Sequence, residues 1–159
     1  METLVLVGEA ALTGLLAGWL ILGVIENIRF PEINGWFVGE VMSMNRVRQN
    51  RDAWRLLGGN RVEDPRVHRA LFRLIVAVEI VVALLLSAGA ALLLAAALGA
   101  ADPATARLWA VAGVIGWTGI WGAFLVGGQW FHYWIGCEGS QATHFFMTIW
   151  GVATFAALT

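Results

Sequence analysis

Four apolar runs divide the chain, and polar segments of unequal length separate them. The runs extend over residues 3–25, 72–98, 108–126 and 143–158. A membrane-spanning helix needs about 20 mostly apolar residues, a length that the first three runs reach or approach. The apolar part of the fourth run, residues 145–158, is short and needs Thr143 and His144, or a thin local bilayer, to complete a span. The pattern predicts an all-α integral membrane four-helix bundle that forms one domain, residues 1–159.

A long polar segment, residues 26–71, connects the first two runs. Within it, "VGEVMSMNRVRQNRDAWRLL" carries apolar residues at partly helical spacing, and "GGN" ends that pattern. The segment is therefore predicted to be partly helical. It would form either an amphipathic helix at the membrane interface or a folded cap over the bundle. The next connection is short, and Asp102-Pro103 within it is typical of a helix start.

Small residues recur about once per turn in three of the runs. Lipid provides no hydrophobic drive between helices, so such residues favour close packing of their backbones. The predicted packing stripes are Ala10, Gly14 and Gly18 in the first run, Ala83, Ser87, Ala91, Ala95 and Gly99 in the second, and Gly119, Ala123 and Gly127 in the third, with Ala112 and Gly116 on a neighbouring stripe.

The composition agrees with a membrane environment. Hydrophobic residues make up 59% of the chain and charged residues 13%, against roughly 45–50% and about 25% in soluble domains. The net charge of −1 and the lack of a long basic run give no indication of a nucleic-acid partner. Cys137 is the only cysteine, which excludes an internal disulfide. The expected surroundings are membrane lipid and other membrane-protein subunits.

Several polar residues are predicted to meet at one end of the bundle, because four antiparallel spans place the long segment and the third connection on the same side. Glu79 lies about two turns inside the second span, where a buried acid is costly unless it is neutral, paired or hydrated. It is either a functional residue or a structural one, with Arg73, Arg69 or a His as partner. Glu9 belongs to the opposite end and is expected at the membrane interface.

The stretch "GGQWFHYW" ends the third run and concentrates aromatic residues there. It is typical of an aromatic belt at the membrane boundary, and the alternative is the side of a ligand pocket. Trp130 is expected to pack inward under the long segment, and Trp134 to lie at the interface. The candidate ligand-binding residues at this end are Asn27, Glu40, Glu79, Gln129, Trp130 and His132.

The three histidines, His68, His132 and His144, fall near span ends. Imidazoles from different helices could hold haem or a metal, but no His pair has ligand spacing, so interfacial or capping roles are expected. The sequence predicts no metal site, no cofactor and no catalytic residue. Haem, a quinone or a lipid are the ligands that the aromatic end could take.

Motifs along nearly the whole chain carry a family resemblance. The first connection, "NGWFVGEVMSMN", contributes Asn34, Phe37, Val38, Val41, Ser43 and Met44. Further matches are Asn27, Trp54, Arg55, Glu79, "GGQWFHYW", Gln141, Phe145 and Phe146. In these positions the chain resembles a family of small bacterial integral membrane proteins, domain of unknown function 2165. The resemblance implies a multi-pass fold in the bacterial cytoplasmic (inner) membrane and carries over no activity.

Three positions depart from that family pattern. Glu40 stands where the family has His, Asn45 where it has Asp, and Gln129 where it has Glu. Residues of those types hold metals or move protons. The departures imply that this chain lacks such chemistry, or has moved it onto Glu40 and His132.

Two indications of membrane orientation disagree. The long segment holds eight Arg, whereas the connection between the second and third runs holds Arg107. By the positive-inside rule the long segment is cytoplasmic and both termini are outside. The basic residues of the resembled family imply the reverse orientation.

Three functions are compatible with these features. The first is a non-catalytic accessory or structural subunit of a larger membrane complex. The second is a binder of a quinone, lipid or haem at the aromatic end. The third is a transporter or proton-pathway component that uses Glu79 and Glu26, although no inverted repeat is visible.

Overall fold

The protein is all-helical, as the sequence predicts. The structure is a computed structural model that describes all residues, Met1–Thr159. Its helices are α1 (Glu2–Arg29), α2 (Pro31–Met42), α3 (Asn45–Arg48), α4 (Arg51–Leu57), α5 (Pro65–Ala97), α6 (Pro103–Trp130) and α7 (Glu138–Leu158), with a 3-10 turn at Gly58–Asn60 between α4 and α5.

Three helices, α1, α5 and α6, are long and apolar enough to cross a membrane. Helix α7 has 21 residues but is not one of them. The physical reason is its polar first turns, "EGSQATH", which leave a short apolar remainder. The all-α prediction is confirmed, whereas three candidate spans rather than four meet the requirement of length and composition.

Proline residues and aspartate caps determine where the helices begin. Phe30 has φ −134° and ψ 58°, and Pro31 then starts α2, because proline disfavours helical geometry in the residue before it. Asp64 caps α5 by accepting a hydrogen bond from the backbone N–H of Arg66 at 2.8 Å. Asp102 does the same for α6 with Thr105, also at 2.8 Å. The predicted helix start at Asp102-Pro103 is confirmed.

Helices α5 and α6 make the closest backbone approach in the bundle. A Cβ at Gly113 would lie 2.8 Å from the backbone nitrogen of Leu86, and one at Gly116 would lie 2.7 Å from the side chain of Val82. Of the two stripes predicted in the third run, the one with Gly119 and Gly127 is wrong, since both glycines face open space. Gly116, of the neighbouring stripe, lies at the contact with α5.

Helix α7 packs along α6 through one large side chain. Trp117 is completely buried, and its indole N–H donates a hydrogen bond of 2.8 Å to the carbonyl oxygen of Met147. A Cβ at Gly151 would overlap with Trp117 and Thr118. The small residue on α7 thus accommodates the large one on α6.

The long polar segment folds onto the bundle as a cap made of α2, α3 and α4. It is not a single helix, because Met44 adopts a left-handed conformation (φ 53°) between α2 and α3. Met42, Met44 and Val47 are buried. At its far end the cap is tied to α6, since the Asn60 amide donates a hydrogen bond to the carbonyl oxygen of Trp130 at 3.0 Å. Of the two predicted arrangements, the folded cap describes this segment.

Candidate ligand-binding cavity

Glu79 is the acid of a short polar chain at the capped end of the bundle. Its side chain is 6% exposed, and its Oε2 accepts a hydrogen bond of 2.9 Å from the Asn27 amide. The Oδ1 of Asn27 in turn accepts one of 2.6 Å from the amide of Asn34. Helices α1, α2 and α5 each contribute one residue to this chain. The prediction that Glu79 faces the interior and is hydrogen-bonded is confirmed.

The predicted partners of Glu79 were wrong, however. No Arg or His nitrogen lies within 4.0 Å of its carboxylate. Arg69 and Arg73 both precede it on α5 and are exposed. Long basic side chains extend toward water at a helix end rather than into the apolar interior. The partner of Glu79 is therefore the neutral amide of Asn27, and not the predicted Arg or His.

Glu79 lines a cavity of about 490 Å³ that is mostly apolar. Of its 21 lining residues, 15 are hydrophobic. Asn27, Asn34 and Glu79 form a polar group in the lining, and Tyr133 and His144 form another. A volume of this size, with few polar groups in an apolar surround, is typical of small-molecule sites.

The cavity exists because α5 and α6 separate beyond their close contact. Past Gly116, the α6 residues Ile120 and Ala123 line the cavity, and a Cβ at Gly127 would meet nothing within 4 Å. On α5, the lining includes Leu74 and Val78, which are 60% and 41% exposed. The cavity therefore opens on the outer face of the bundle, between two helices that are candidate membrane spans.

The aromatic stretch at the end of α6 is a helix-terminating turn that shapes one end of the cavity. His132 takes a left-handed conformation (φ 52°), and the N–H of Tyr133 donates to the carbonyl oxygen of Gly128 at 3.0 Å. This pattern is a Schellman cap, with His at the position that glycine usually fills. The turn folds the Tyr133 ring back onto Gly128, where any Cβ would overlap with it.

Tyr133 positions His144 at the same end. The two rings are stacked, with centroids 5.8 Å apart, and the Tyr133 hydroxyl lies 3.3 Å from Nδ1 of His144. Burial raises the pKa of Tyr133. The hydroxyl therefore stays protonated at neutral pH and can donate to the imidazole. Trp121 and Phe124 complete the aromatic surroundings of His144, with centroids 5.6 Å and 5.0 Å away.

The structure brings only part of the predicted residue set together. Asn27 and Glu79 line the cavity, whereas Glu40, Gln129, Trp130 and His132 do not. Glu40 instead accepts a hydrogen bond of 2.6 Å from Asn45 within the cap.

Trp130 lies outside the cavity on the surface of the protein. It is 60% exposed, so the expectation that it packs inward under the long segment is wrong. The turn after α6 buries Tyr133 in its place. Trp134 is 43% exposed, and Gln129 is exposed as well. Glu26, the second acid of the proposed proton pathway, is exposed and does not line the cavity.

The three histidines have separate partners. Nε2 of His68 lies 2.7 Å from the carbonyl oxygen of Val62, and Nε2 of His132 lies 3.5 Å from the Asn60 amide. His144 faces Tyr133, as described above. No group of three His, Cys, Asp or Glu side chains is arranged to hold a metal ion.

The single thiol of the chain, Cys137, is 9% exposed at the start of α7. Burial raises its pKa, Arg46 lowers it by a smaller amount, and the acids Glu138 and Glu40 raise it slightly further. A thiol of this kind is mostly protonated at neutral pH and is a poor nucleophile. The geometry therefore gives Cys137 a packing role.

One comparison with known proteins gave a match. Residues 5–159 match the model of a family described as predicted small integral membrane protein, domain of unknown function 2165. The chain belongs to that family. It is accordingly an integral membrane protein with three apolar helices. No curated protein and no solved structure shows a significant match to the chain.

Many of the motif residues on which the family resemblance rests lie around the cavity. Those in its lining are Asn27, Asn34, Phe37, Val38, Val41, Glu79, Gly127, Gly128 and Phe131. They come from four helices and the turn after α6, and the fold brings them together. Sequence reasoning missed Phe72, Trp121, Tyr133 and His144 as lining residues. Only the aromatic density around Tyr133 signalled any of them.

Proposed function

We propose that this protein crosses the bacterial cytoplasmic membrane four times, with α7 as the fourth span, and binds a small amphipathic molecule in the cavity beside Glu79. Helix α7 supports the topology, because it packs antiparallel along α6 through Trp117 and Gly151. Its 21 residues measure roughly 31 Å at the helical rise of about 1.5 Å per residue. Counted with its polar first turns, the helix is therefore as long as a hydrocarbon layer of about 30 Å is thick.

The observation that carries the binding proposal is a buried carboxylate on an apolar cavity with no cation beside it. An acid inside a membrane domain is costly, and such residues mark ligand or ion sites. Glu9, by comparison, has a full ionic partner in Arg107. A ligand that enters sideways from the lipid would reach Glu79 between α5 and α6, where Leu74 and Val78 are exposed.

Two matched glycine substitutions test whether the cavity is a binding site. Gly127 lines it and Gly122 does not, and a Cβ at either position would meet nothing within 4 Å. Gly127→Phe should fill the cavity, whereas Gly122→Phe adds the same side chain outside it. Native mass spectrometry of protein extracted in mild detergent should show a small bound molecule in wild type and Gly122→Phe, and not in Gly127→Phe. Identical spectra for all three proteins would refute the proposal.

A second candidate role, that of a non-catalytic accessory subunit in a larger membrane complex, is supported by the surface of the cap and the neighbouring start of α5. Six arginines there are exposed and have no carboxylate within 4.0 Å: Arg46, Arg51, Arg55, Arg66, Arg69 and Arg73. Unpaired surface cations can dock an acidic partner. Cross-linking in native membranes, followed by purification, should then recover a stoichiometric partner that is lost in the Arg51→Gln/Arg55→Gln variant. Recovery of the chain alone would count against this role.

A further inference from the structure

The charge of the cavity lining restricts the ligands that it can hold. Glu79 is the only Asp, Glu, Lys or Arg among the lining residues. Its Oε2 is engaged by Asn27, whereas Oε1 has no hydrogen-bond partner in the protein and is not fully enclosed. The space that Glu79 borders is the cavity. A ligand there would therefore meet one free carboxylate oxygen and no opposing positive charge from Arg or Lys.

Aromatic side chains form much of the rest of the lining. They are Phe37, Phe72, Trp121, Phe124, Phe131 and Tyr133. The faces of aromatic rings carry negative charge density and attract cations, and the attraction is strongest where water is excluded. The aromatic lining and the carboxylate thus select for the same sign of charge.

Other ligand classes fit this lining less well. A phospholipid phosphate or the carboxylates of haem would face Glu79 without an Arg or Lys to offset the repulsion. The carbonyl oxygens of a quinone are acceptors, and they would oppose Oε1 of the ionised carboxylate that the assignment requires. An organic cation with apolar substituents satisfies both the carboxylate and the aromatic surround.

We propose that the cavity binds a hydrophobic organic monocation, an amine or quaternary ammonium group that carries apolar or aromatic substituents, with Glu79 as its counter-ion. This assignment rests on the proposed function and names its ligand class. The cation reaches Glu79 from the lipid between α5 and α6. Its positive charge pairs with Glu79, as Arg107 pairs with Glu9 at the opposite end of the bundle. Its apolar substituents contact the aromatic rings.

Two shape-matched probes of opposite charge test the assignment. Tetraphenylphosphonium is a cation and tetraphenylborate an anion, and both are hydrophobic aromatic ions of similar form. Binding to purified protein is measured by equilibrium dialysis at pH 8, well above the usual histidine pKa of about 6.5. Wild type should bind the phosphonium ion, and the borate should not compete for the site.

Variants locate that binding. Glu79→Gln retains the shape of the side chain and should weaken phosphonium binding roughly tenfold or more, since its counter-ion is gone. Glu32→Gln removes the same charge from an exposed position of α2 outside the lining and should leave binding unchanged. Where Glu79→Gln does not fold, the comparison of the two probes on wild type decides the question alone.

The outcomes separate this assignment from the proposed function. Equal binding of both ions, or unchanged binding in Glu79→Gln, would overturn the cation assignment. The cation assignment would also fail if the phosphonium ion did not bind while Gly127→Phe still removed the bound molecule from the mass spectra. That result would leave the ligand-binding function in place. If Gly127→Phe changes nothing in the mass spectra and neither ion binds, both proposals fail.

Discussion

The molecule buries two glutamates at opposite ends, and it treats them differently. Glu9 and Asn27, the partner of Glu79, are 18 residues apart on α1 (27 minus 9), or roughly 27 Å at the helical rise of about 1.5 Å per residue. Glu9 and Glu79 are each 6% exposed. Glu9 is held by Arg107, whose Nε lies 3.0 and 3.1 Å from its two oxygens. Glu79 has only an amide partner and an adjacent cavity.

This difference distinguishes an acid held in an ion pair from the acid that we propose as part of a binding site. At the Glu9 end, charge is neutralised within the protein and the helices are in close contact, so the acid contributes to assembly. At the Glu79 end, α5 and α6 border a cavity, and the carboxyl group has no cationic partner within 4.0 Å. Sequence reasoning placed Glu9 at the membrane interface. The ion pair with Arg107 leads us to expect a larger loss of stability from changes at the Glu9 end.

The largest expected effect of a single substitution is at the Glu9 end. Arg107→Ala leaves a buried carboxylate without its cation, and we expect a loss of about 3 kcal/mol in the free energy of unfolding. That is the lower end of the range for broken buried pairs, because the Arg107 side chain is 32% exposed. Thermal unfolding in detergent measures it, with exposed Arg73→Ala as control. Equal melting temperatures for the two variants would show that the Glu9 end is not held by charge.

Alanine substitutions at two glycines of α6 compare close packing with open space. Gly113→Ala forces a Cβ to within 2.8 Å of the Leu86 backbone nitrogen, so we expect a loss of about 1–3 kcal/mol from overpacking. Gly127→Ala has nothing within 4 Å and should gain about 0.5–1 kcal/mol from reduced backbone freedom in the unfolded state. The comparison predicts opposite signs of the change in melting temperature. A loss at both positions would mean that α5 and α6 do not separate at the cavity.

A smaller effect is expected when the charge of Glu79 is removed. Glu79→Gln retains an oxygen that can accept the Asn27 hydrogen bond, so the change in unfolding free energy should be below about 1 kcal/mol. Glu9→Gln should cost more, because the guanidinium of Arg107 then lacks its counter-charge. The same unfolding assay compares the two variants. A Glu79→Gln loss as large as that of Arg107→Ala would make Glu79 a structural residue.

The smallest effect concerns Cys137, which tests whether the polypeptide around the open cavity is itself well packed. Burial raises the pKa of this thiol. Its alkylation by iodoacetamide at pH 7 should therefore be much slower than that of a cysteine placed at exposed Ala142. Because the thiolate is the reactive form, the rate should rise about tenfold per pH unit below the pKa. Equal rates for both cysteines at pH 7 would indicate that the turn after α6 is loosely folded.

Sequence alone predicted the features that depend on local chemistry. The apolar runs predicted the all-α fold, and Asp102-Pro103 predicted where α6 begins, because caps and proline act within one turn. The interior position of Glu79 also followed from the sequence, since exposing an acid to lipid is costly wherever the helix lies. These inferences needed only the spacing of residues along a single helix.

Only the tertiary structure decided which side chains meet. Asn27 on α1 reaches Glu79 because α1 packs along α5, and Asn34 reaches Asn27 because the chain turns at Phe30-Pro31 and α2 packs against α1 and α5. Tyr133, rather than Trp130, is buried because the turn at His132 reverses the chain onto Gly128, and the identity of neighbouring residues does not reveal that reversal. The cavity lies beside α5 and α6 just past their close contact at Gly113 and Gly116, and Ile120, one turn beyond Gly116, already lines it. Which turns of two helices touch is a property of the packed bundle, and the sequence of one helix does not reveal it.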